Sequence, residues 1–380
     1  MTDTVKYINH PTDTYYSAFL IKIQLKRKKL SEKRAWRKSV NLAIFDIFCG
    51  MPIILSVLSG IYDILISKEK REGTFMTELS EEILQSWQVR KTKEQKTAFI
   101  DRMKREFPEL QVETEKKGKV RNLVLGEVET AKTVFTAHYD TCARMLVPNL
   151  ITPRNLPVYI LYNIAVCVPF LLLLFAVMWG MEQICPIRAV NVLVAYCAFM
   201  AALFFALMGG KPNPHTANDN TSGVIALIEI YNAMTEQERR SCAFVFFDLE
   251  ELGMVGSGAF AKHHREEMKN RLVFNLDCVS DGDHMLFVIN KKAGAKYRDV
   301  LMKAFPDSQK ITCHFCRSAT TVYPSDQTSF PVSLAAASMR KNRFAGLYMN
   351  RIHTPKDTVF EEENIRFLRD GARRFLQLLP

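Results

Sequence analysis

The chain has 380 residues, of which 48% are hydrophobic and 24% charged, and its formal net charge is +11 at pH 7. This length suits one large domain with an appendage, or two domains. The positive charge comes without any motif of a nucleic-acid-binding module, so the sequence excludes that class. The nine cysteines are scattered. Cys313 and Cys316 form a single C-x-x-C with no second pair, which argues against a structural zinc site.

Residues 1–67 are predicted to be a basic segment that associates with a membrane. Nine basic residues lie between Lys22 and Lys38, opposed only by Glu32. Such a cluster beside apolar sequence favours contact with anionic lipid headgroups over a merely solvated helix face. In the next stretch, residues 41–67, the uncharged run covers only residues 47–62. As a helix this run is about 24 Å long, short of a full crossing. The sequence leaves open whether the stretch spans, enters partway or lies in the interface.

Residues 68–154 and 209–380 are predicted to form one α/β domain. Residues 76–104 have a helical pattern, and from residue 133 onward short apolar runs alternate with amphipathic helical stretches, as in α/β folds. The predicted strands are 119–125, 133–137, 243–247 and 271–276, and the predicted helices are 222–234 and 256–269.

Between these two parts, residues 155–208 are predicted to form a transmembrane helical hairpin. Residues 156–180 and 189–208 contain no charged side chain. Each run reaches the roughly 20 apolar residues that a helix needs to cross a bilayer core. Pro169 is expected to kink the first helix without disqualifying it. The linker is short, so the helices would be antiparallel neighbours. The alternative, two helices buried in a soluble core, is disfavoured.

Metal-binding residue types recur where the predicted elements end. Four of them follow predicted strands directly, one precedes a predicted helix, and one follows residues 347–352, which we interpret as a further strand. They are His138, Glu250, Glu251, Asp277, Asp219 and His353. In open α/β sheets, ligands lie beyond the carboxyl ends of the strands. Imidazole and carboxylate both bind zinc, at about 2.0–2.2 Å, and two metals that share a carboxylate are a known hydrolytic arrangement.

The motifs around these residues resemble those of the di-zinc aminopeptidases. That family includes bacterial leucyl aminopeptidase and aminopeptidase Y, with glutaminyl cyclases and glutamate carboxypeptidase-like enzymes as relatives. The motifs occur in the family's order over residues 95–141 and 211–380: His138-x-Asp140, Asn218-Asp219-Asn220-Thr221-Ser222-Gly223, Glu250-Glu251, Asn275-Leu276-Asp277 and His353-Thr354-x-x-Asp357. The resemblance implies a three-layer αβα zinc-exopeptidase fold with a mixed, mostly parallel central sheet. Here the two-helix transmembrane hairpin would be an insertion in that fold.

The resemblance also implies two zinc ions per chain and a ligand set for each. Asp219 would bridge the two ions. His138 and Asp277 would complete one site, and Glu251 and His353 would complete the other.

Further roles follow from the same resemblance. Glu250 would be the general base, taking a proton from a metal-activated water and passing it to the leaving amine. Asp140 would accept a hydrogen bond from the His138 nitrogen that does not bind metal, which fixes the tautomer. Tyr323 would stand where a tyrosine of the family stabilises the tetrahedral oxyanion. Gln327 stands where the family often has the histidine of Ser-Asp-His, which puts substrate specificity in question.

The implied activity is that of a membrane-bound zinc exopeptidase, an aminopeptidase that hydrolyses N-terminal peptide bonds. Its partners would be a peptide substrate and the lipid bilayer, with no nucleic acid, and the sequence leaves the oligomeric state open. One alternative is a glutaminyl-cyclase-like acyltransferase with a single zinc on the same fold. Another is a catalytically inactive receptor or scaffold, which the intact ligands and Glu250 oppose. The hairpin lies between Asp140 and Asp219, so it would emerge on the active-site side of the sheet.

The charges beside the hairpin predict its orientation. A hairpin returns the chain to the side from which it came, so both flanks share one face of the membrane. The flanks carry Arg144, Arg154 and Lys211, whereas the tip carries Glu182 and Arg188. The positive-inside tendency therefore predicts a multi-pass protein of the cell membrane with a cytoplasmic catalytic domain, provided that residues 41–67 do not cross.

Overall fold

The computed structural model describes residues 75–145, 147–185 and 187–379. The basic cluster of residues 22–38 and the apolar stretch of residues 41–67 lie outside the described residues, so what the sequence predicts for them stays a prediction. The described helices, in chain order, are α1 (Glu78–Ser86), α2 (Lys93–Glu106), α3 (Leu156–Glu182), α4 (Arg188–Leu207), α5 (Gly223–Ala233), α6 (Glu236–Arg240), α7 (Val255–His263), α8 (Lys291–Ala304) and α9 (Glu362–Leu378).

The helical prediction for residues 76–104 resolves into two helices, α1 and α2, with a break between them. Thr92 begins α2 with a capping box: its hydroxyl accepts the N–H of Gln95, and the Gln95 side chain accepts the N–H of Thr92. These bonds satisfy N–H groups that a helix start leaves free, so they favour a new helix here. The break turns Arg90 inward, where it is fully buried and donates to the Tyr139 carbonyl at 2.5 Å.

Among the described residues, nine strands form one mixed sheet. They are β1 (Gln111–Glu115), β2 (Val120–Leu125), β3 (Thr133–His138), β4 (Cys242–Phe247), β5 (Leu272–Leu276), β6 (His284–Ile289), β7 (Thr312–Arg317), β8 (Ser333–Asn342) and β9 (Gly346–Tyr348). The order is β1-β2-β4-β3-β5-β8-β6-β7, with β9 paired to β8. The central strands β4, β3, β5 and β8 are parallel, and β2 and β6 flank them antiparallel. The four predicted strands are confirmed as β2 to β5, each to within one residue.

Helices cover both faces of the sheet. Successive side chains of a strand point to opposite faces, and β4 is buried along its whole length. Its Phe244 and Phe246 join one core with α1, α2, α5, α8 and α9, while its Val245 and Phe247 join a second core with α7. This is the α/β arrangement of helix, sheet and helix that the resemblance implies. The predicted helix 256–269 is regular only as α7, and a separate turn, Glu267–Lys269, follows it.

Helices α3 and α4 form the predicted hairpin, and most of their apolar side chains are exposed. Both are long and apolar enough to cross a membrane, and in their most apolar windows none of α3 and 11% of α4 is buried. Leu161 and Trp179 are 69% and 70% exposed. The alternative of two helices buried in a soluble core is therefore wrong. Pro169 lies inside α3, and the helix continues through it to Glu182.

Candidate metal and active site

Three strand ends bring candidate ligands to one edge of the sheet. His138 ends β3, Asp277 directly follows β5, and Glu250 and Glu251 are the third and fourth residues after β4. Because β3 lies between β4 and β5 and parallel to both, their carboxyl ends meet. Leu249, which links β4 to the two glutamates, has a φ of 58°. Few residues other than glycine adopt this left-handed conformation, and here it turns the chain sharply next to the glutamates.

Asp219 lies at the centre of the cluster. It belongs to an irregular, fully buried segment, Ala217–Ser222, that leads into α5, and its peptide bond to Asn220 is cis. Its two carboxylate oxygens face different histidines. Oδ1 lies 3.4 Å from His138 Nε2, and Oδ2 lies 2.9 Å from His353 Nε2. One carboxylate therefore stands between two imidazoles.

Each histidine has a second carboxylate beside it. Asp277 Oδ1 is 3.5 Å from His138 Nε2, and Glu251 Oε2 is 3.3 Å from His353 Nε2. The five residues thus form two groups that share Asp219. This is the division into two ligand sets that the resemblance implies, and the metal ligation itself stays a prediction.

His353 reaches the cluster by a route that the sequence did not predict. The sequence predicts a strand over residues 347–352 directly before His353, but β9 covers only Gly346–Tyr348 and runs antiparallel to β8. The β8–β9 hairpin carries the chain away from the sheet and back, and a turn then presents His353. Its φ is 60°, again in the left-handed region that few non-glycine residues adopt.

The charges of the cluster fit metal cations. Glu251 Oε1 and Asp277 Oδ1 are buried and have no hydrogen-bond partner among the described residues. Burial raises the pKa of Glu251 to about 8, because an ionised carboxylate loses solvation there. Burial would lower the pKa of His353, but the charges of Glu251 and Asp219 outweigh it and raise that pKa to about 9. Buried carboxylates with oxygens that lack a partner, together with two imidazoles, are a donor set typical of zinc.

Asp140 supports the cluster, though through other bonds than the resemblance implies. His138 Nδ1 lies 3.1 Å from the backbone carbonyl of Asp140, whereas the Asp140 carboxylate is 3.6 Å away. A bond to the carbonyl requires a proton on Nδ1, which leaves Nε2 free for a metal. The Asp140 carboxylate instead accepts the backbone N–H groups of Glu250 at 3.0 Å and Glu251 at 3.3 Å. It therefore fixes the loop that carries both glutamates.

Asp357 holds the central carboxylate in place. Its Oδ1 accepts the N–H of Asn218 at 2.8 Å, and its Oδ2 accepts the N–H of Asp219 at 3.0 Å. The Asn218 side chain in turn accepts the N–H of Ser280 at 2.8 Å, which ties this segment to the loop after β5. Asp357 is the last residue of the motif His353-Thr354-x-x-Asp357, for which the resemblance implies no role.

A buried ion pair that sequence reasoning missed supports the loop after β4. Lys96 of α2 donates to Asp248 Oδ1 at 2.6 Å, and their side chains are only 6% and 0% exposed. The N–H of Arg121 donates to Asp248 Oδ2 at 3.1 Å, and the Asp248 N–H donates to Asn122 Oδ1 at 3.0 Å. The available signal was a lysine on the apolar face of a predicted helix, where an unpaired charge is rare.

Two buried cysteines, Cys142 and Cys278, also lie beside the candidate ligands. Donor atoms of Cys142, Glu251 and His353 all lie within 4.8 Å of one another, as do those of Asp219, Asp277 and Cys278. Burial raises the pKa of both thiols, so they are neutral at physiological pH.

Tyr323 and Gln327 lie beside the cluster and have partners within the chain. The Tyr323 hydroxyl donates to the Asp277 carbonyl at 3.0 Å, so its predicted role towards an oxyanion would require that bond to be exchanged. The Gln327 side chain donates to the Tyr323 carbonyl at 2.8 Å. Asp326 is buried, and both of its carboxylate oxygens lack a partner among the described residues.

Three solved structures are similar to this chain at low sequence identity. The LapA aminopeptidase of Legionella pneumophila is 14% identical with a TM-score of 0.45, and the match covers 78% of this chain and 67% of that one. BSAP, a zinc aminopeptidase from Bacillus subtilis, is 16% identical with a TM-score of 0.39, covering 67% and 49%. A glutaminyl cyclase from an Acidobacteriales bacterium is 14% identical with a TM-score of 0.48, covering 79% and 92%. Likeness of this degree assigns neither an activity nor a substrate.

The sequence match is more specific. Residues 204–375 match the model of Peptidase family M28. They include α5, the loops after β4 and β5, and the His353 turn, and therefore every candidate ligand except His138. This part of the chain, somewhat less than half of it, is thus similar to peptidase family M28.

Proposed function

We propose that the protein is a membrane-anchored aminopeptidase that holds two zinc ions and removes N-terminal residues from peptides. The position of Asp219 carries this proposal. Its oxygens face His138 at 3.4 Å and His353 at 2.9 Å, and a further carboxylate, Asp277 or Glu251, lies beside each histidine. One shared carboxylate with two separate pairs of partners supports two metal ions rather than one.

Zinc bound there would lower the pKa of a water molecule and polarise the carbonyl of the scissile bond. The proposed base is Glu250, which accepts a proton and delivers it to the leaving amine. Its Oε2 lies 4.0 Å from His138 Nε2, and its side chain is 17% exposed, whereas that of Glu251 is 9% exposed. Glu250 is also absent from the three groups of converging donor atoms found among the described residues. It therefore borders the ligands without joining them and keeps access to solvent.

Two neighbours position the base and the carbonyl. Asp140 accepts the N–H of Glu250 at 3.0 Å and so restricts the backbone from which the base extends. Tyr323 is proposed to donate its hydroxyl to the oxyanion in place of the Asp277 carbonyl, 3.0 Å away. Both roles depend on groups held within hydrogen-bond reach of the reacting atoms.

The membrane part of the proposal places α3 and α4 in a bilayer with the catalytic domain in the cytoplasm. Exposed apolar side chains on α3 and α4 support it, as does Phe344 at the β8–β9 turn. Phe344 is 71% exposed, and its carbonyl accepts a hydrogen bond at 2.9 Å from Asn155, the residue that caps α3. Exposed Trp, Phe and Leu side chains bury in the headgroup–acyl boundary of interfacial segments. The cations Arg144 and Lys211 on the flanks support the cytoplasmic side.

Activity and metal content together test the enzymatic proposal. The purified protein is assayed with a panel of aminoacyl fluorogenic substrates and with peptides that begin with glutamine, before and after chelation and zinc return. We expect chelator-sensitive release of N-terminal residues and two zinc ions per chain. A single zinc with cyclisation of glutaminyl peptides would instead identify a cyclase. Bound zinc with no turnover of either class would identify an inactive relative.

Labelling of cysteines in intact cells tests the orientation. In a variant without other cysteines, Cys185 near the hairpin tip is compared with Ser318→Cys, an exposed position on the catalytic domain. An impermeant maleimide is expected to modify Cys185 and to spare residue 318 until the cells are lysed. Modification of residue 318 before lysis would contradict the cytoplasmic assignment and leave the peptidase proposal untouched.

A further inference from the structure

A groove runs between the hairpin and the catalytic domain, on the far side of His353 from Asp219. It consists of two adjoining cavities of about 1050 Å³ and 450 Å³ that share Pro148, Phe170 and Ala206 in their walls. One wall belongs to helices α3 and α4, and the other belongs to the loops on either side of the hairpin and after His353. The groove therefore joins the proposed membrane segment to the immediate surroundings of the metal site.

The two parts of the groove differ in chemistry. The smaller cavity is lined almost entirely by apolar side chains, including Val166, Pro169 and Phe170 of α3. The larger cavity adds three cations, Arg144, Lys211 and Lys356, and its wall contains no acidic residue. A molecule that fills both parts must be apolar at one end and anionic at the other.

The cationic part of the groove is built by paired backbone segments. Arg144 donates its N–H to the Lys211 carbonyl at 2.8 Å, and the neighbouring residues Ala143 and Pro212 form an antiparallel bridge. The segments entering and leaving the hairpin therefore hold these two cations side by side. Lys356 joins them from the turn that begins at His353. The three cations belong to a fixed junction, not to a mobile terminus.

We propose that this groove binds one anionic phospholipid, with its phosphate group among Arg144, Lys211 and Lys356 and an acyl chain along α3 and α4. The proposal rests on the proposed function, because α3 and α4 must lie in a bilayer and the activity that lipid would raise is that of the proposed peptidase. Charge complementarity selects an anionic headgroup. The apolar lining, continuous with the exposed surface of the hairpin, selects an acyl chain over a free phosphate ion.

The bound lipid would lie next to a ligand of the proposed metal site. Met145 donates its N–H to the His353 carbonyl at 2.8 Å, and its sulfur lies 3.2 Å from His353 Nδ1. Met145 also lines the groove. Lipid in the groove would therefore order the segment that contacts His353, and peptidase activity is expected to rise when anionic lipid is supplied.

Lipid binding is measured directly on the full-length protein. Purified protein in mild detergent is titrated with phosphatidylglycerol or phosphatidylcholine, and retained lipid is counted by native mass spectrometry. The groove variant is Arg144→Gln/Lys211→Gln/Lys356→Gln. Its charge-matched control is Lys292→Gln/Lys296→Gln/Lys303→Gln, three exposed positions on α8. Zinc content of both variants is measured as a check that each has folded.

We expect one phosphatidylglycerol to be retained in preference to phosphatidylcholine. Each basic residue near an anionic headgroup contributes roughly fivefold in affinity, so the groove variant should bind about a hundredfold more weakly. The control variant should bind as the wild type does. Equal retention by the groove variant and the wild type, or equal retention of the two lipids by the wild type, would overturn the proposal.

A second pair of variants tests the apolar part. Ala206 lines both cavities, so Ala206→Trp should block the acyl chain and reduce lipid retention at least tenfold. Ala201→Trp, at an exposed position of the same helix, should leave it unchanged. Unchanged retention in Ala206→Trp would contradict the predicted position of the chain.

Competition separates the lipid from other anionic occupants. Glycerol 3-phosphate should not displace the lipid, because it lacks the acyl chain; displacement would show a simple anion site. An apolar peptide with a free C-terminal carboxylate should not displace it either; displacement would show an extension of the substrate cleft. If the wild-type protein retains both lipids equally but has zinc-dependent peptidase activity, this inference alone is rejected and the proposed function stands. Extraction of the wild-type protein from membranes by alkaline carbonate would reject the membrane part of the proposed function first.

Discussion

Strand β4 and the hairpin helices have similar apolar character, but they lie in opposite surroundings. All six residues of β4, Cys242–Phe247, are buried, whereas the most apolar window of α3 has no buried residue. β4 can be buried because helices of the same domain cover both faces of its sheet. A helix that is apolar on every side has no polar face to turn to water. Apolar content alone therefore does not say whether a segment meets protein or lipid.

The hairpin and the metal site also differ in how far along the sequence their polar side chains find hydrogen-bond partners. In the hairpin, Asn163 donates to the Tyr159 carbonyl one turn earlier in its own helix, at 2.8 Å. In the metal site, Asp357 accepts the N–H of Asp219, and Asp140 accepts the N–H of Glu250, across more than a hundred residues of sequence. Bonds within one helix suit surroundings that offer no partners. Bonds between distant segments make the site depend on the whole domain.

The largest expected effect is in the metal site, from Asp219→Ala. Both zinc ions should be lost, together with all measurable activity, because one carboxylate serves both ligand sets. Zinc at about a thousand times its Kd stabilises the folded state by about 4 kcal/mol, so the wild type should melt well above the variant when zinc is present. Elemental analysis and thermal unfolding measure these quantities.

Chelated protein provides the control for Asp219→Ala. Without zinc the gap between the variant and the wild type should shrink to the smaller contribution that the Asp219 contacts with His138 and His353 make to stability. Retention of two zinc ions per chain by the variant would show that the bridging role belongs to another residue.

Glu250→Gln should separate chemistry from metal binding. Turnover is expected to fall by about 10²–10⁴-fold because the proton acceptor is lost, whereas zinc content should equal that of the wild type. The matched control is Glu236→Gln, whose side chain is 80% exposed on α6. Steady-state kinetics and elemental analysis check this. Loss of zinc together with activity would make Glu250 a ligand instead of a base.

Leu172→Arg tests whether the exposed apolar surface of the hairpin contacts lipid. Leu172 is 64% exposed on α3, and an arginine in the middle of a membrane helix costs about 2.5–3.5 kcal/mol. We expect a large loss of protein that resists alkaline carbonate extraction. Leu378→Arg, at a position 46% exposed near the end of α9, should leave extraction unchanged. Equal behaviour of the two variants would indicate that the exposed apolar surface of the hairpin does not meet lipid.

Asp357→Asn should weaken the metal site without removing a ligand. Asparagine keeps one acceptor oxygen but presents an amide group to the second N–H, so Asp219 loses part of its support. Outer hydrogen-bond partners of metal ligands typically contribute 10–100-fold in metal affinity, and a zinc competition titration should show a loss in that range. Asp283→Asn, whose parent side chain is 73% exposed, is the control. Full zinc affinity in Asp357→Asn would mean that the Asn218–Asp219 backbone does not need this carboxylate.

The smallest expected effect lies in the α/β domain away from the metal site. Burial lowers the pKa of His264, but its hydrogen bond and ion pair with Glu113 outweigh burial and raise that pKa above 6.5. A raised folded-state pKa adds stability that is full below pH 6.5 and lost as the pH rises through the folded value. Glu113→Gln should therefore lower the unfolding free energy by about 1 kcal/mol near pH 6. The difference should vanish at alkaline pH.

Urea denaturation of both proteins at several pH values measures this difference in unfolding free energy. A gap that persists unchanged at alkaline pH would assign the effect to packing and not to charge. His264 lies just beyond α7 and is only 5% exposed.

The sequence by itself determined the elements whose signals are local. The strands β2 to β5 follow from short apolar runs, and the hairpin follows from two long uncharged ones. The candidate ligands at three strand ends also follow, because parallel neighbouring strands must end at one edge. A strand with a known direction thus predicts where the residue after it will lie.

Only the tertiary structure decided the features that depend on distant partners. The sequence placed His353 after a strand, but a hairpin and a turn deliver it, since the length of β9 depends on its pairing with β8. The bond from Asp140 to the two glutamates and the pairing of Lys96 with Asp248 join segments more than a hundred residues apart. The groove beside the hairpin likewise exists only where three separate segments meet. Contacts of this kind arise from packing, which no local pattern of residues encodes.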